Sequence, residues 1–425
     1  MSDVQQKKTL AIVVGGGPAP GINGVISAAT IEAINQGLRV IGIYDGFQWL
    51  AKGDDITHIK ELSISDVSRI HFQGGSELRT SRENPTKDPQ KMNNVVNNLL
   101  KLDVNYLVTI GGDDTAYTSK CVAEQAHGKI RVAHVPKTID NDLPLPSYAY
   151  TFGYQTARHV GAQLIGNLME DAETANRWYF VVAMGRHAGH LALGIGKAAA
   201  ATLTIVREEF EGQEPIRLKH ISDIILGSII KRLTMGRPNG VVVIAEGVAE
   251  IIAEEDLHDL VTAERDEFGH IRLAEVDFGD VLKKSIQARL KEMKIKMTVI
   301  SKNIGYELRC APPIPFDCEY TRELGYGAVK FLLEGGTGAI VTVQAGEFVP
   351  MYFADVLDPK TNRTKVRMLN IKSNAYEVAR RYMIRLDRDD FRNPEKLTRL
   401  AEVAHKTPEA FKETFEYTVH EPERE

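Results

Sequence analysis

Four short segments of this 425-residue chain carry residue types whose spacing suits phosphate chemistry. Gly111 and Gly112 lead into Asp113, Asp114 and Thr115. Glycines beside two carboxylates fit a place where Mg²⁺ meets a phosphate chain, because Mg²⁺ is usually held by one or two carboxylates together with phosphate oxygens. Read alone, the same residues serve equally as a turn into a helix, with Asp114 or Thr115 as N-cap. Next comes Pro136-Lys137-Thr138-Ile139-Asp140-Asn141-Asp142. Asp140 and Asp142 are two apart and need not point the same way, so one suits proton acceptance while the other supports metal or water. Lys137 adds a cation beside the phosphate. By itself this is also a polar loop closed by Pro144 and Pro146; the acidic turn one strand earlier argues against that plainer reading.

The other two segments bind rather than react. Gly15, Gly16, Gly17 and Gly21 precede a helical pattern, which lets backbone N–H groups approach an anion at a helix start; alone, they read equally as a plain strand-to-helix turn. They match neither the G-x-x-x-x-G-K-[ST] loop nor a clean G-x-G-x-x-G, so the standard nucleotide readings are weak. Met184-Gly185-Arg186-His187-Ala188-Gly189-His190 offers the forked donors of Arg186 to a phosphate or carboxylate. His187 and His190 lack a third ligand at metal spacing and read as part of a polar loop. Glu246 ends another apolar run and suits a sugar hydroxyl, or equally an ordinary surface position.

Each segment follows a short β-branched run. Such runs fall at 10–14, 39–43, 106–110, 131–135, 178–183, 202–206, 241–245, 297–300 and 339–343. Helical patterns lie between them, as over 22–36, where Ile22, Val25, Ile26, Ala29, Ala33 and Ile34 share one face and Gly37 closes the C-terminus. Strand–helix alternation predicts an α/β fold with mostly parallel sheets covered by helices on both faces. Ligands of such sheets sit outside the carboxyl ends of the strands. The segments 250–290 and 373–425 are charged and read as solvated helices, packed around the sheets or at a subunit contact.

Composition narrows the class. There are 52 Lys and Arg against 57 Asp and Glu, so the net charge of -5 provides no global field for nucleic acid and any anion needs a local cluster. The three cysteines, Cys121, Cys310 and Cys318, form no C-x-x-C pair, which fits a reducing cytoplasm. The apolar stretch at 10–14 is too short for a signal peptide core, and no run approaches the ~18 residues of a membrane span.

Taken in order, GGG-PAPGIN, GGDD, PKTIDND, MGR and IAEG resemble the phosphofructokinase family from about residue 10 to 346. The resemblance implies two Rossmann-like sheets with the active site in the cleft between them. It implies a donor-binding domain over 1–140 with part of the C-terminal region, a sugar-phosphate domain over 141–345 with an insertion near 250–290, and a helical extension over 346–425. Gly15, Gly16, Gly17, Gly21 and Gly112 then bind the donor phosphates. Asp113 holds Mg²⁺, Asp140 is the base for the C1 hydroxyl of fructose 6-phosphate, and Asp142 supports both. Arg82 falls beside the transferring group, and Thr138 contacts the sugar. Met184, Gly185, Arg186, Glu246, Tyr306 and Arg309 contact the sugar phosphate, and Arg177 reaches the substrate of a neighbouring subunit, implying a homodimer or homotetramer. The chain departs from the family at Leu308, where Gln is usual, and at Cys310 and Ala311, where glycines are usual. Ile300 replaces an arginine, with Lys302 nearby. Lipid and NAD kinases share a Gly-Gly-Asp turn but lack the T-I-D-N-D and M-G-R segments.

Two positions bear on the donor. ATP users of this family generally carry glycine where Asp114 and Lys137 stand. A carboxylate at 114 fills the space of the nucleotide's α-phosphate and repels it, by about 4 kcal/mol at ~4 Å and a surface-like dielectric as an upper scale. Pyrophosphate avoids that space, and Lys137 offers it a cation. The expected reaction is therefore reversible transfer from pyrophosphate; the alternatives are ATP as donor or a non-catalytic regulatory subunit.

Overall fold

The computed structural model describes residues 7–53, 57–146, 149–258, 277–358, 360 and 364–419. All nine predicted strands are present, and two more join them. In chain order they are β1 (Thr9–Val14), β2 (Arg39–Ile43), β3 (Ile59–Glu61), β4 (Val104–Gly111), β5 (Arg131–Pro136), β6 (Arg177–Ala183), β7 (Leu203–Ile205), β8 (Gly240–Ala245), β9 (Thr298–Ile304), β10 (Ala339–Gln344) and β11 (Glu347–Tyr352). The additions, β3 and β11, are antiparallel edges. β3 is only three residues long, and the apolar run of β11 contains Pro350, a residue that argues against a strand.

The chain forms two compact units. The first comprises Met1–Ala157 and Tyr306–Arg367, the second Arg158–Gly305 and Met368–Glu425. The first holds a seven-stranded sheet in the order β11-β10-β5-β4-β1-β2-β3, parallel except at its two edge pairs. β1 is buried along its whole length, as expected of a strand covered on both faces. From β1 the chain winds outward to β2 and then reverses to β4 on the other side, so a switch point lies between β1 and β4. The second unit holds a parallel sheet in the order β7-β8-β6-β9.

The unit boundaries differ from the divisions at 140 and 345 expected from sequence. Residues 306–345 return to the first unit because β10 pairs with β5 and the helix Pro315–Leu333 packs on Ile22–Asn35. At that crossing Gly24 faces Thr321, and a Cβ there would stand 2.1 Å from Thr321 Oγ1. Helices of the C-terminal region keep charged residues exposed and bury Phe391, Leu400, Phe411 and Phe415 in the second unit, in line with the expectation that they pack within the fold. Around 250–290 the helices Glu254–His258 and Phe278–Glu292 form as expected. Residues 259–276 and 420–425 of the two charged segments lie outside the described residues. No helix among the described residues is long and apolar enough to cross a membrane.

Candidate active site

In the first unit the phosphate-type segments meet at the switch point. Gly15 N donates to Ile110 O at 2.8 Å and Gly16 N to Ser81 O at 2.7 Å, which ties the glycine turn to β4 and to the segment bearing Arg82. Thr115 is wedged between two glycines. A Cβ on Gly15 would stand 2.3 Å from its Oγ1, and one on Gly111 2.3 Å from its Cβ. The two turns approach this closely only because neither residue carries a side chain. The helix Asp113–Gln125 starts at an N-cap of Gly112 with no side-chain cap, so Asp114 and Thr115 are not its caps. Asp113 and Asp114 occupy its first turn, where the helix dipole favours negative charge. Asp113 Oδ1 accepts from Thr364 N at 2.6 Å. Asp114 is exposed, and Asn84 Nδ2 donates to its Oδ1 at 3.4 Å.

Lys137 is the centre of the cluster. β5 delivers it, and its N–H donates to Gly111 O at 2.8 Å. Its ammonium donates to the carbonyl of Gly17, and the side chain is only 5% exposed. Burial first, then the nearby Arg309 and Arg82 guanidiniums, press its pKa down to about 8, with Asp140 acting the other way. Arg309 Cζ lies 3.4 Å from where a Cβ on Gly17 would stand, and 5.2 Å from the Tyr306 ring centroid. Arg309 therefore lies against the donor-type glycine turn within this unit. Leu308, one of the departures noted from sequence, is fully buried in the short helix Tyr306–Arg309, whereas Tyr306 is 77% exposed.

The acidic loop is organised by its own hydroxyl. Thr138 Oγ1 accepts from Asp140 N at 3.1 Å and donates to Asp142 Oδ1 at 3.2 Å. Beneath the turns, His134 is buried, with its pKa lowered to about 3 mainly by desolvation. The neutral ring lies 3.1 Å from Gly111 O through Nε2 and 2.9 Å from Thr109 Oγ1 through Nδ1.

In the second unit a separate cluster forms at the carboxyl ends of β6, β8 and β9. Met184 N donates to Ile304 O at 3.0 Å, and Gly185 N to Glu246 Oε2 at 3.3 Å. Arg186 is exposed beside them. Gly189 N, further along this loop, donates to the buried Glu208 carboxylate at 2.9 Å. Arg177 is not part of this cluster. It begins β6, about 20 Å away along the strand, and pairs with Asp171 at 3.4 Å.

Three supporting residues were not singled out from sequence. Asn23 donates to Gln73 O at 3.2 Å and accepts from Glu77 N at 2.7 Å, bracing the segment that leads to Arg82. Buried Asp317 accepts from Gly153 N and Thr156 N, both at 2.8 Å. Arg367 binds the loop carrying Asp140 and Asp142. Asn23 lies inside a quoted motif and was within reach; the other two sit far along the chain, where only folding reveals their partners.

A phosphofructokinase family model matches residues 9–332. The pyrophosphate–fructose 6-phosphate 1-phosphotransferase of Thermotoga maritima is 53% identical over 418 residues, covering 97% of this chain and 99% of its own. The enzyme of that name from Naegleria fowleri is 52% identical over 419 residues, covering 97% and 96%. Among solved structures, a pyrophosphate-dependent phosphofructokinase from Nitrosospira multiformis is similar with a TM-score of 0.66 at 18% identity, over 88% of this chain and 90% of that one. Pichia pastoris phosphofructokinase is similar with a TM-score of 0.64 at 21% identity; 98% of this chain is covered, but only 39% of the yeast chain. At these identities the structural likenesses concern the fold alone.

Proposed function

The chain belongs to the phosphofructokinase family, and from that premise we propose that it transfers a phosphoryl group reversibly from pyrophosphate to the C1 hydroxyl of fructose 6-phosphate. The products are fructose 1,6-bisphosphate and phosphate. The observation that carries this reading is Lys137, a buried ammonium at a glycine turn with Arg82 and Arg309 close enough to depress its pKa. Such a cradle is completed by a compact polyanion.

Two supports favour pyrophosphate over ATP. Asp114 puts a carboxylate in the first turn of Asp113–Gln125, where a longer phosphate chain would be repelled. The Thermotoga and Naegleria relatives, similar over nearly the whole chain, carry the pyrophosphate name.

In the mechanism, the N–H groups of the glycine turn and Lys137 bind the donor. Arg82, Arg309 and Lys137 offset charge on the transferring group. Asp140 takes the proton of the C1 hydroxyl, and Thr138 holds Asp140 and Asp142 in one frame. Met184, Gly185, Arg186 and Glu246 hold the sugar phosphate, and Tyr306 adds a contact. The carboxylate of Asp113, in the first turn of its helix, is an oxygen donor of the hard type that Mg²⁺ takes, so Asp113 would be its principal protein ligand. Mg²⁺, when bound, neutralises donor charge. Arg177, remote from its own chain's cluster, serves a neighbouring subunit, which makes the active form a homodimer or homotetramer. The unpaired Cys121, Cys310 and Cys318 suit a reducing cytoplasm, and the reaction a glycolytic role.

The test is turnover of fructose 6-phosphate by the purified chain with Mg²⁺, with pyrophosphate and ATP supplied separately. Activity with pyrophosphate alone is expected. Activity with ATP alone would overturn the donor assignment, and activity with neither would overturn the reading.

A further inference from the structure

The loop that carries Asp140 and Asp142 has no helix or strand of its own among its described residues between β5 and the helix Tyr154–Ala175. Between the two carboxylates stands Asn141, buried, with φ of 57°. Its conformation sets the direction in which the chain passes from Asp140 to Asp142. A side-chain-bearing residue in the left-handed region is held there by its surroundings.

Arg367 supplies much of that hold. Its Nε and Nη2 donate to Asn141 O at 3.1 and 2.9 Å, and Nη2 also donates to Asn141 Oδ1. Nη1 donates to the carbonyls of Leu145, Pro146 and Ala149 at 3.1, 2.9 and 2.8 Å. The main-chain N–H of Arg367 donates to Asp142 O at 2.7 Å. From the other side Thr151 N donates to Asn141 Oδ1 at 3.1 Å, and Thr151 Oγ1 to Thr138 O at 2.8 Å. One guanidinium thus gathers four carbonyls of a single loop. Its planar fork allows this, and the ammonium of lysine does not reproduce it.

We propose that Arg367 is a positioning residue for phosphoryl transfer, fixing Asn141 so that Asp140 is aimed at the acceptor hydroxyl. The inference rests on the assignment of Asp140 as base. Arg367 touches no reacting atom in this account; it acts through the backbone of the loop.

Arg367→Lys keeps charge and stem but loses the fork. The expected result is a fall in kcat on the order of 100-fold, with KM for both substrates and the calorimetric Kd for pyrophosphate little changed. Amide exchange should quicken across 138–151 and not in β1 or β4. Asn141→Gly tests the same link from the other side, since glycine accepts positive φ but removes the Oδ1 acceptor. Combining the two should cost little more than Arg367→Lys alone. Unchanged kcat, a matching loss of pyrophosphate affinity, general loss of protection or strictly additive effects would each overturn the proposal. If the unaltered chain transfers no phosphoryl group, the functional reading fails separately. Exchange then still decides whether Arg367 holds the loop: quickening confined to 138–151 supports the clamp, and unchanged exchange overturns it.

Discussion

At the scale of single residues, the site depends on a few charges held in unusual surroundings. Lys137 is charged below about pH 8 and neutral above it. Pyrophosphate beside it restores a higher pKa, so donor binding should take up a proton near pH 8.5 and almost none near pH 6.5. Titration calorimetry in buffers of different ionisation enthalpy reads this directly, and Lys137→Met should abolish the uptake. The stability linkage has a definite sign. Between about pH 8 and 10.5 the unfolded chain holds a proton that the folded chain has released, so this residue makes folding more favourable as pH rises through that window. Asp140→Asn removes the proton acceptor but preserves shape; it should abolish turnover while leaving the melting curve close to that of the unaltered chain, and substantial residual turnover would exclude Asp140 as the base.

At the scale of elements, close approach governs what can change. Gly24 lets Ile22–Asn35 lie against Pro315–Leu333 at Thr321. Gly24→Ala should cost about 1–3 kcal/mol by overpacking, measured by urea unfolding. Adding Thr321→Ala removes the opposing hydroxyl and should recover part of the loss; no recovery would mean that the strain lies elsewhere. The same reasoning explains why the glycines around Thr115 carry information. They mark the point where β1 and β4 end side by side, and the turns bearing residues 15–17 and 113–114 grow from those two ends.

At the scale of the whole molecule, the late part of the chain serves both units. Residues 306–367 complete the first sheet and bring Arg309 and Arg367 to its loops; the residues after them complete the second unit. There Phe411 stacks with Phe391 and packs at a tilt against Phe415, and Asp223 is buried among Lys219, Arg289 and Tyr417. Phe411→Ala should cost about 3–5 kcal/mol, seen as lost amide protection in Leu218–Thr234, while β1, β4 and β5 keep theirs. Much of this protein was legible in the sequence because the residues proposed for its chemistry sit directly after its strands. An apolar run followed by glycines and carboxylates declares both the strand and the loop at its carboxyl end, so the parallel α/β class and the segments holding Asp113, Lys137, Asp140, Arg186 and Glu246 could be read in order. Local pattern does not say which sheet a strand joins. The return of β10 to β5, the antiparallel edges, the burial of Leu308 and the grip of Arg367 on Asn141 depend on contacts between residues hundreds of positions apart or on an environment that a neighbouring element creates. Only the tertiary structure decided those, because pairing and burial are properties of the assembled chain rather than of any segment within it.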